Sequence, residues 1–366
     1  MRKFFIFLML FCLILPCVPA VAQSKAEKVT IIVKSSQEAE LKSTLAMYSD
    51  KWAHAIRSSR HSETSQPLPF SDMYLAFGKK KWIIGRKGNF VELQTGKQLL
   101  LPEKIQKRLL NYANQLRHKH YGTLIPWSKA ERLIPRNAKF TVVDLMTGKS
   151  FKVQRRAGDA HADVQPLTEQ DTKIMKDIYN GHWSWRRRAI LVKTDGRTIA
   201  ASMHGMPHGA GALQNGFPGH FCIHFWQSKT HRSEKMDPAH EIMIYQSSGK
   251  LYNYLEEATP YELVDAFLVA LNQHNKPLLE MMLDQGNPKE TKRLFELLKR
   301  AEAINNTSSL KENDAFTLVG VKIPVEVSIF WQGRGETKQT LTFTVTRNAP
   351  GERWSIDVSS LLKSLK

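Results

Sequence analysis

Cys222 lies in the most histidine-dense stretch of this chain, ASMHGMPHGAGALQNGFPGHFCIHFWQSKTH over residues 201–231. His204, His208, His220, His224 and His231 all fall there, five of the chain's 13 histidines. A thiolate, not a thiol, is the nucleophile, and a neighbouring imidazole generates it by accepting the proton. One cysteine among several histidines therefore points to covalent acyl transfer. The spacing sharpens this: His204 is followed by 14 residues and then by Gly219-His220-Phe221-Cys222-Ile223-His224. In a strand, His220, Cys222 and His224 share one face. Taken alone, a cysteine between Phe221 and Ile223 is more simply a small core residue. A zinc site is the other alternative, with His204 and His208, or His220 and His224, joined by Cys222 or Asp237. No HExxH helix is present, and the glycines and prolines of 205–219 do not permit one. His208 belongs to a glycine-rich loop with Pro207, Gly209 and Gly211, at the border of the pocket. His231, Asp237 and His240 are expected to hydrogen-bond at the surface.

The run from His204 to His224 resembles the signature of the L,D-transpeptidase catalytic domain of YkuD type. That signature reads His, 14–17 residues, Ser or Thr, then His-Gly-Cys, an apolar residue, and Arg or Asn. The resemblance implies Cys222 as nucleophile and His204 as general base, with the Gly205 carbonyl orienting that base. His220 belongs to the catalytic group, and backbone N–H groups around 221–222 form the oxyanion hole. His208 and His224 fall on the substrate side. It implies two-step exchange on peptidoglycan stem peptides, by transpeptidation or carboxypeptidase hydrolysis, with no metal or organic cofactor. Three positions depart from the pattern: Gly219 for Ser or Thr, Phe221 for Gly, and His224 for Arg or Asn. A bulky Phe221 restricts φ and is expected to disturb the oxyanion donors most.

Arginines form a second cluster, at Arg155, Arg156, Arg186, Arg187 and Arg188. Stem peptides end in carboxylates, which arginine grips in bidentate pairs. Arg186 and Arg187 are the expected substrate-binding members, and Trp185, alternating with Trp183 around Ser184, offers an apolar face. A solvated basic edge is the alternative.

Residues 1–22 read as a signal peptide: Arg2 and Lys3, an apolar run from Phe4 to Leu15, and Ala20-Val21-Ala22 as the cleavage site. Cys12 and Cys17 lie inside it, so the expected mature chain keeps Cys222 as an unpaired thiol. The apolar run is too short to span a bilayer, which takes about 20 residues. Removing the segment leaves 51 basic against 34 acidic side chains, a net +17 compared with +19 for the whole chain. A cationic exported protein suits polyanions, here peptidoglycan and anionic wall polymers, so a secreted, cell-wall-associated location is expected. Nucleic acid is not expected, given export and the absence of zinc-finger or ribonucleoprotein motifs. A wall-binding protein without catalysis remains the non-enzymatic alternative. Nothing in the sequence sets the oligomeric state.

The fold expected is α+β and multidomain: a central, mostly β, L,D-transpeptidase-like domain over 136–257, between an N-terminal α+β domain with its linker (23–135) and a C-terminal α+β domain (258–366). Strands are expected at 29–33, 73–77, 82–85 and 89–93, a loop at 57–70, and a helix opened by Pro102 with Ile105, Leu109, Tyr112 and Leu116 on one face. Residues 124–135 read as the linker. A hairpin follows over 139–154 about Thr147-Gly148-Lys149, then a Thr168-capped helix to 179. Strands are expected at 189–192 and 197–203, the second running directly into His204. In the last region Thr259-Pro260 and Asn287-Pro288 each start a helix, the second reaching about Ala303. Strands are expected at 316–330, broken at Pro324, and at 337–346 and 353–358. Helices followed by an antiparallel sheet resemble, in element order, the nuclear transport factor 2-like cone.

Overall fold

The computed structural model describes residues 26–63, 70–230, 234–284, 286–307 and 313–365. The expected signal peptide, His231 and part of the 57–70 loop lie outside the described residues. The chain is mixed α/β, 30% helix and 32% strand, and the described residues form three sheets, of which one is a six-stranded barrel.

The first sheet has seven strands: β1 (Lys28–Val33), β2 (Ser43–Tyr48), β3 (His61–Ser62), β4 (Met73–Phe77), β5 (Lys80–Ile84), β6 (Phe90–Glu92) and β7 (Gln98–Leu99), ordered β2-β1-β4-β5-β6-β7-β3. β2 and helix α1 (Asp50–Ser58), capped by Ser49, were not legible in the sequence pattern. α2 (Glu103–His120) follows Pro102 as expected and buries Ile105 and Leu109.

The expected linker is instead structural. Pro126 precedes a short helix, α3 (Trp127–Leu133), whose Trp127 and Ala130, with Ile134 behind them, enter the barrel core. Trp127 stacks on Phe225 with ring centroids 5.7 Å apart, donates Nε1–H to the Asp159 carbonyl at 2.6 Å, and lies under the Arg155 guanidinium. A segment with so much apolar surface lowers its free energy by plugging a barrel end rather than by hanging in water.

The barrel runs β10-β13-β12-β11-β8-β9, all antiparallel, from β8 (Lys139–Asp144), β9 (Ser150–Ala157), β10 (Ala162–Pro166), β11 (Arg188–Thr194), β12 (Arg197–Met203) and β13 (Phe221–His224). Alternate residues fill it: Val142, Phe151, Val164, Ile190, Ala201, Phe221 and Ile223 point inward. α4 (Glu169–Ile178) covers one end behind a capping box between Thr168 and Asp171. Outward-facing Val143, Leu145, Ala189 and Leu191 join a larger core with Ile242 and Met243 of α5 (Pro238–Ser247). α6 (Leu251–Glu257) follows.

The final region supplies α7 (Pro260–Asn272), α8 (Lys276–Met282), α9 (Pro288–Leu298) and the sheet β14 (Ala301–Asn306), β15 (Gly320–Trp331), β16 (Gly335–Thr346), β17 (Ser355–Ile356), in that order. α9 ends earlier than expected, giving way to β14, and the last strand, expected over 353–358, is the two-residue β17, followed by α10 (Val358–Ser364). Pro324 does not break β15. The Glu326 carbonyl accepts from Thr307, so Pro324, two residues away, turns its ring nitrogen to the same side, past the end of β14. Among the described residues the missing N–H therefore takes no bond from the β14–β15 ladder.

Candidate functional site

On β13 the barrel sends Phe221 and Ile223 inward and Cys222 and His224 outward. Cys222 is paired across the ladder with Asp163 of β10, and His224 with Ser202 of β12. The outer wall over these three strands, overhung by the loop after β12, gathers His161, Asp163, His204, His208, His220, Cys222, His224 and His240. His161, His204, His224 and His240 are each at most 3% exposed. Their rings form a continuous chain. His161, His224 and His240 stack face to face with centroids 4.4 and 3.9 Å apart, and His240, His204, His208 and His220 continue it at 6.0, 5.1 and 4.4 Å.

Cys222 Sγ lies 3.3 Å from His208 Nε2 and 3.6 Å from Asp163 Oδ1. His208 Nδ1 faces the Met206 carbonyl at 3.2 Å. A carbonyl only accepts, so the neutral ring carries its proton on Nδ1 and turns the Nε2 lone pair to the thiol. His204 has the opposite tautomer: its Nδ1 accepts from Met206 N–H at 3.3 Å, which leaves the proton on Nε2. The histidine in hydrogen-bond contact with the thiol is thus His208, a residue of the glycine-rich loop, and not His204. His204 stands behind it, under the exposed Trp185 ring at 4.7 Å.

His208 reaches the thiol because residues 208 and 220 form a two-bond antiparallel bridge of 3.0 and 2.9 Å. Gly219 makes that bridge possible. Its φ is +121°, and a Cβ there would fall 2.5 Å from the His208 carbonyl oxygen. A side chain at this position is excluded by this close backbone approach. Gly205 is held as tightly: its N–H donates to the Ser184 carbonyl at 2.8 Å, and a Cβ would strike the Tyr179 ring at 2.4 Å. The other departure, Phe221, is absorbed by the barrel interior, where it packs 5.8 Å from Phe217 and 6.2 Å from Phe151. Phe221 is not among the residues with a left-handed backbone.

Burial pushes the Cys222 thiol well above its ordinary pKa, and the Asp163 carboxylate beside it adds to the rise. Burial also pushes His208 down, and pushes His204 and His240 far down, with Arg187 adding to the last two. The resting pair is therefore a thiol against a neutral imidazole, not a thiolate–imidazolium pair.

Trp185 and Arg186 are exposed at the mouth, whereas Arg187 is engaged, donating to Asp237 Oδ2 at 2.6 Å and, through its backbone N–H, to Gln273. Asp237 also caps α5, which removes it from the set of possible ligands. Arg155 and Arg188 are structural: Arg155 binds carbonyls of Ile134 and Gly158, and Arg188 grips Asp144 with two nitrogens at 2.6 and 2.8 Å. His240 is buried rather than at the surface, its Nδ1 2.9 Å from Ser202 Oγ. His161 and Asp163 had no advance signal except two polar residues adjoining the apolar alternation of Ala162 and Val164. No family model, no curated protein and no solved structure matches the chain.

Proposed function

We propose that this protein is an exported cysteine acyltransferase of the L,D-transpeptidase or L,D-carboxypeptidase type, acting on peptidoglycan stem peptides through a Cys222 thioester. The observation that carries the reading is the 3.3 Å contact between Cys222 Sγ and His208 Nε2, with Nδ1 held by the Met206 carbonyl. As Sγ bonds to the stem-peptide carbonyl carbon, its proton moves to His208 Nε2. The tetrahedral intermediate then collapses, and the leaving D-amino acid takes that proton as the C–N bond breaks. An acceptor amine or water resolves the thioester, with His208 taking and returning a proton again. His208 replaces His204 in the base role that the resemblance implied, and His204 supports it from behind. Trp185 and Arg186 are the side chains offered to the peptide and its carboxylate.

The central barrel is read as the L,D-transpeptidase-like domain and the C-terminal helices and sheet as the cone-like accessory. The net charge of +17 expected for the exported chain suits an anionic cell wall. Among the described residues no helix is long and apolar enough to cross a membrane. The test is intact-protein mass spectrometry after incubation with a tetrapeptide muropeptide or a carbapenem. A covalent adduct is expected on the wild type and none on Cys222→Ser. An adduct of equal yield in that variant overturns the cysteine mechanism.

A further inference from the structure

Three histidines around Cys222 share a feature that one proton transfer does not need. His161 Nδ1 lies 2.8 Å from the Lys229 carbonyl, His208 Nδ1 3.2 Å from that of Met206, and His220 Nδ1 3.1 Å from that of Ala210. Each carbonyl accepts from Nδ1–H and leaves Nε2 turned inward, the support that metal-ligating histidines receive. The inward atoms converge. His161 Nε2 is 3.3 Å and His220 Nε2 3.9 Å from Asp163 Oδ1, and Cys222 Sγ is 3.6 Å from that same oxygen. A tetrahedral ion with bonds of about 2.0–2.3 Å to nitrogen, oxygen and sulfur separates its ligands by about 3.3–3.8 Å. The distances found here bracket those edges.

Three donor sets share Cys222 among the described residues, one of them with His161 and His224, and the tautomers separate the other two. The donor atoms of Asp163, His220 and Cys222 all lie within 4.8 Å of one another, as do those of His204, His208 and Cys222. His204 carries its proton on Nε2, because Nδ1 accepts from Met206, so the second set is the poorer one. In the first set a carboxylate and a thiolate bring two negative charges, which match a dication in a buried wall. Mixed S, N and O donors favour zinc and exclude magnesium or calcium, which take oxygen ligands.

We propose that Asp163, His220 and Cys222, with His161 beside Asp163, form a binding site for a borderline divalent cation of the zinc type, and that the bound ion withholds Cys222 from electrophiles. Binding forms a metal–sulfur bond and releases the Sγ proton through His208 to solvent, with no change of oxidation state. Metal binding is independent of acyl transfer, and only its inhibitory consequence rests on the function proposed above.

The test uses the full chain after chelator treatment, with Co2+ as a spectroscopic probe and Zn2+ as competitor. One equivalent of Co2+ should produce a near-ultraviolet thiolate-to-cobalt charge-transfer band, displaced by Zn2+ and lost in Cys222→Ser. Asp163→Asn and His220→Gln should each weaken Co2+ at least about tenfold. His220 is the safer substitution because its side chain is 19% exposed. Stoichiometric Zn2+ should slow iodoacetamide alkylation of Cys222 at least about tenfold, with recovery on chelation. A folded chain with no cobalt band overturns the proposal, as does a band indifferent to both His220→Gln and Asp163→Asn, or alkylation indifferent to Zn2+. A cobalt band without any muropeptide adduct would sink the acyltransferase reading alone, and an adduct without a band would sink the metal site alone.

Discussion

The thiol–imidazole pair at Cys222 sits in a wall that disfavours charge on either partner. Burial, and after it Asp163, holds the proton on sulfur, and burial pushes the His208 pKa down. Attack must then be coupled to proton transfer, which makes the base matter. His208→Gln should lower the acylation rate by about 10²–10⁴-fold, the usual contribution of a general base. His204→Gln should cost less than about tenfold, measured by adduct formation in single-turnover mass spectrometry. The reverse ranking would return the base role to His204. The same electrostatics predict the pH profile of alkylation. The wild-type rate should still be climbing through pH about 8.5, where a free thiol is half ionised. Asp163→Asn removes a negative neighbour and should move that profile to lower pH. On the acid side, a lowered His208 pKa keeps the base unprotonated further down, so the acylation rate should begin to fall only below pH about 6.5.

Placement of His208 depends on its bridge to residue 220, and the bridge depends on a glycine. Gly219→Ser restores a residue of the type found in the resembled signature, yet it should damage this protein. A side chain at φ +121° is strained, and its Cβ would meet the carbonyls of His208 and Gly209 at 2.5 and 2.9 Å. The expected cost is about 1–3 kcal/mol in urea unfolding, with a slower acylation rate as His208 withdraws. An unchanged midpoint with unchanged acylation would mean that the bridge does not position the base. α3 teaches a related point. Pro126 and Pro135 flank a segment that scans as a connection, but its Trp127 and the adjoining Ile134 are 7% and 0% exposed in the barrel core.

Across the molecule the cores are not independent. Barrel interior residues form one cluster, while a larger one runs from the first sheet through the outer barrel face and α5 to the last sheet. Unfolding is therefore expected as a coupled event, and the buried histidines set its acid limit. His204 and His240 are held far below the ordinary imidazole pKa, and burial pushes His120 down to about 4. Each is neutral when folded and takes up a proton when unfolded below pH about 6.5, so stability falls as pH drops through that value. Each group contributes up to about 1.4 kcal/mol per pH unit until its folded pKa is reached. Urea unfolding at pH 7.0, 6.0 and 5.0 should give a steeply falling series, and His120→Gln should flatten it. A flat series for the wild type would mean that these rings are accessible to protons.

Local order was readable wherever one residue pattern dictates one geometry. The strand Met73–Phe77, the capping boxes at Thr168 and Thr259, and the strand ending at Met203 all follow from alternation or from caps within a few residues. The same local rule aligned Cys222 and His224 on one face of a strand. His161, Asp163 and His240 were not readable as members of the cluster around Cys222 and His224, because β10 and α5 join it only through the closure of the barrel and the packing of a helix outside it. Asp163 is 59 residues from Cys222, and no periodicity carries information across that span. The same holds for His208, whose distance from Cys222 along the chain does not distinguish it from His204. A turn at Gly219 and two backbone hydrogen bonds bring one imidazole within 3.3 Å of the sulfur and leave the other behind it.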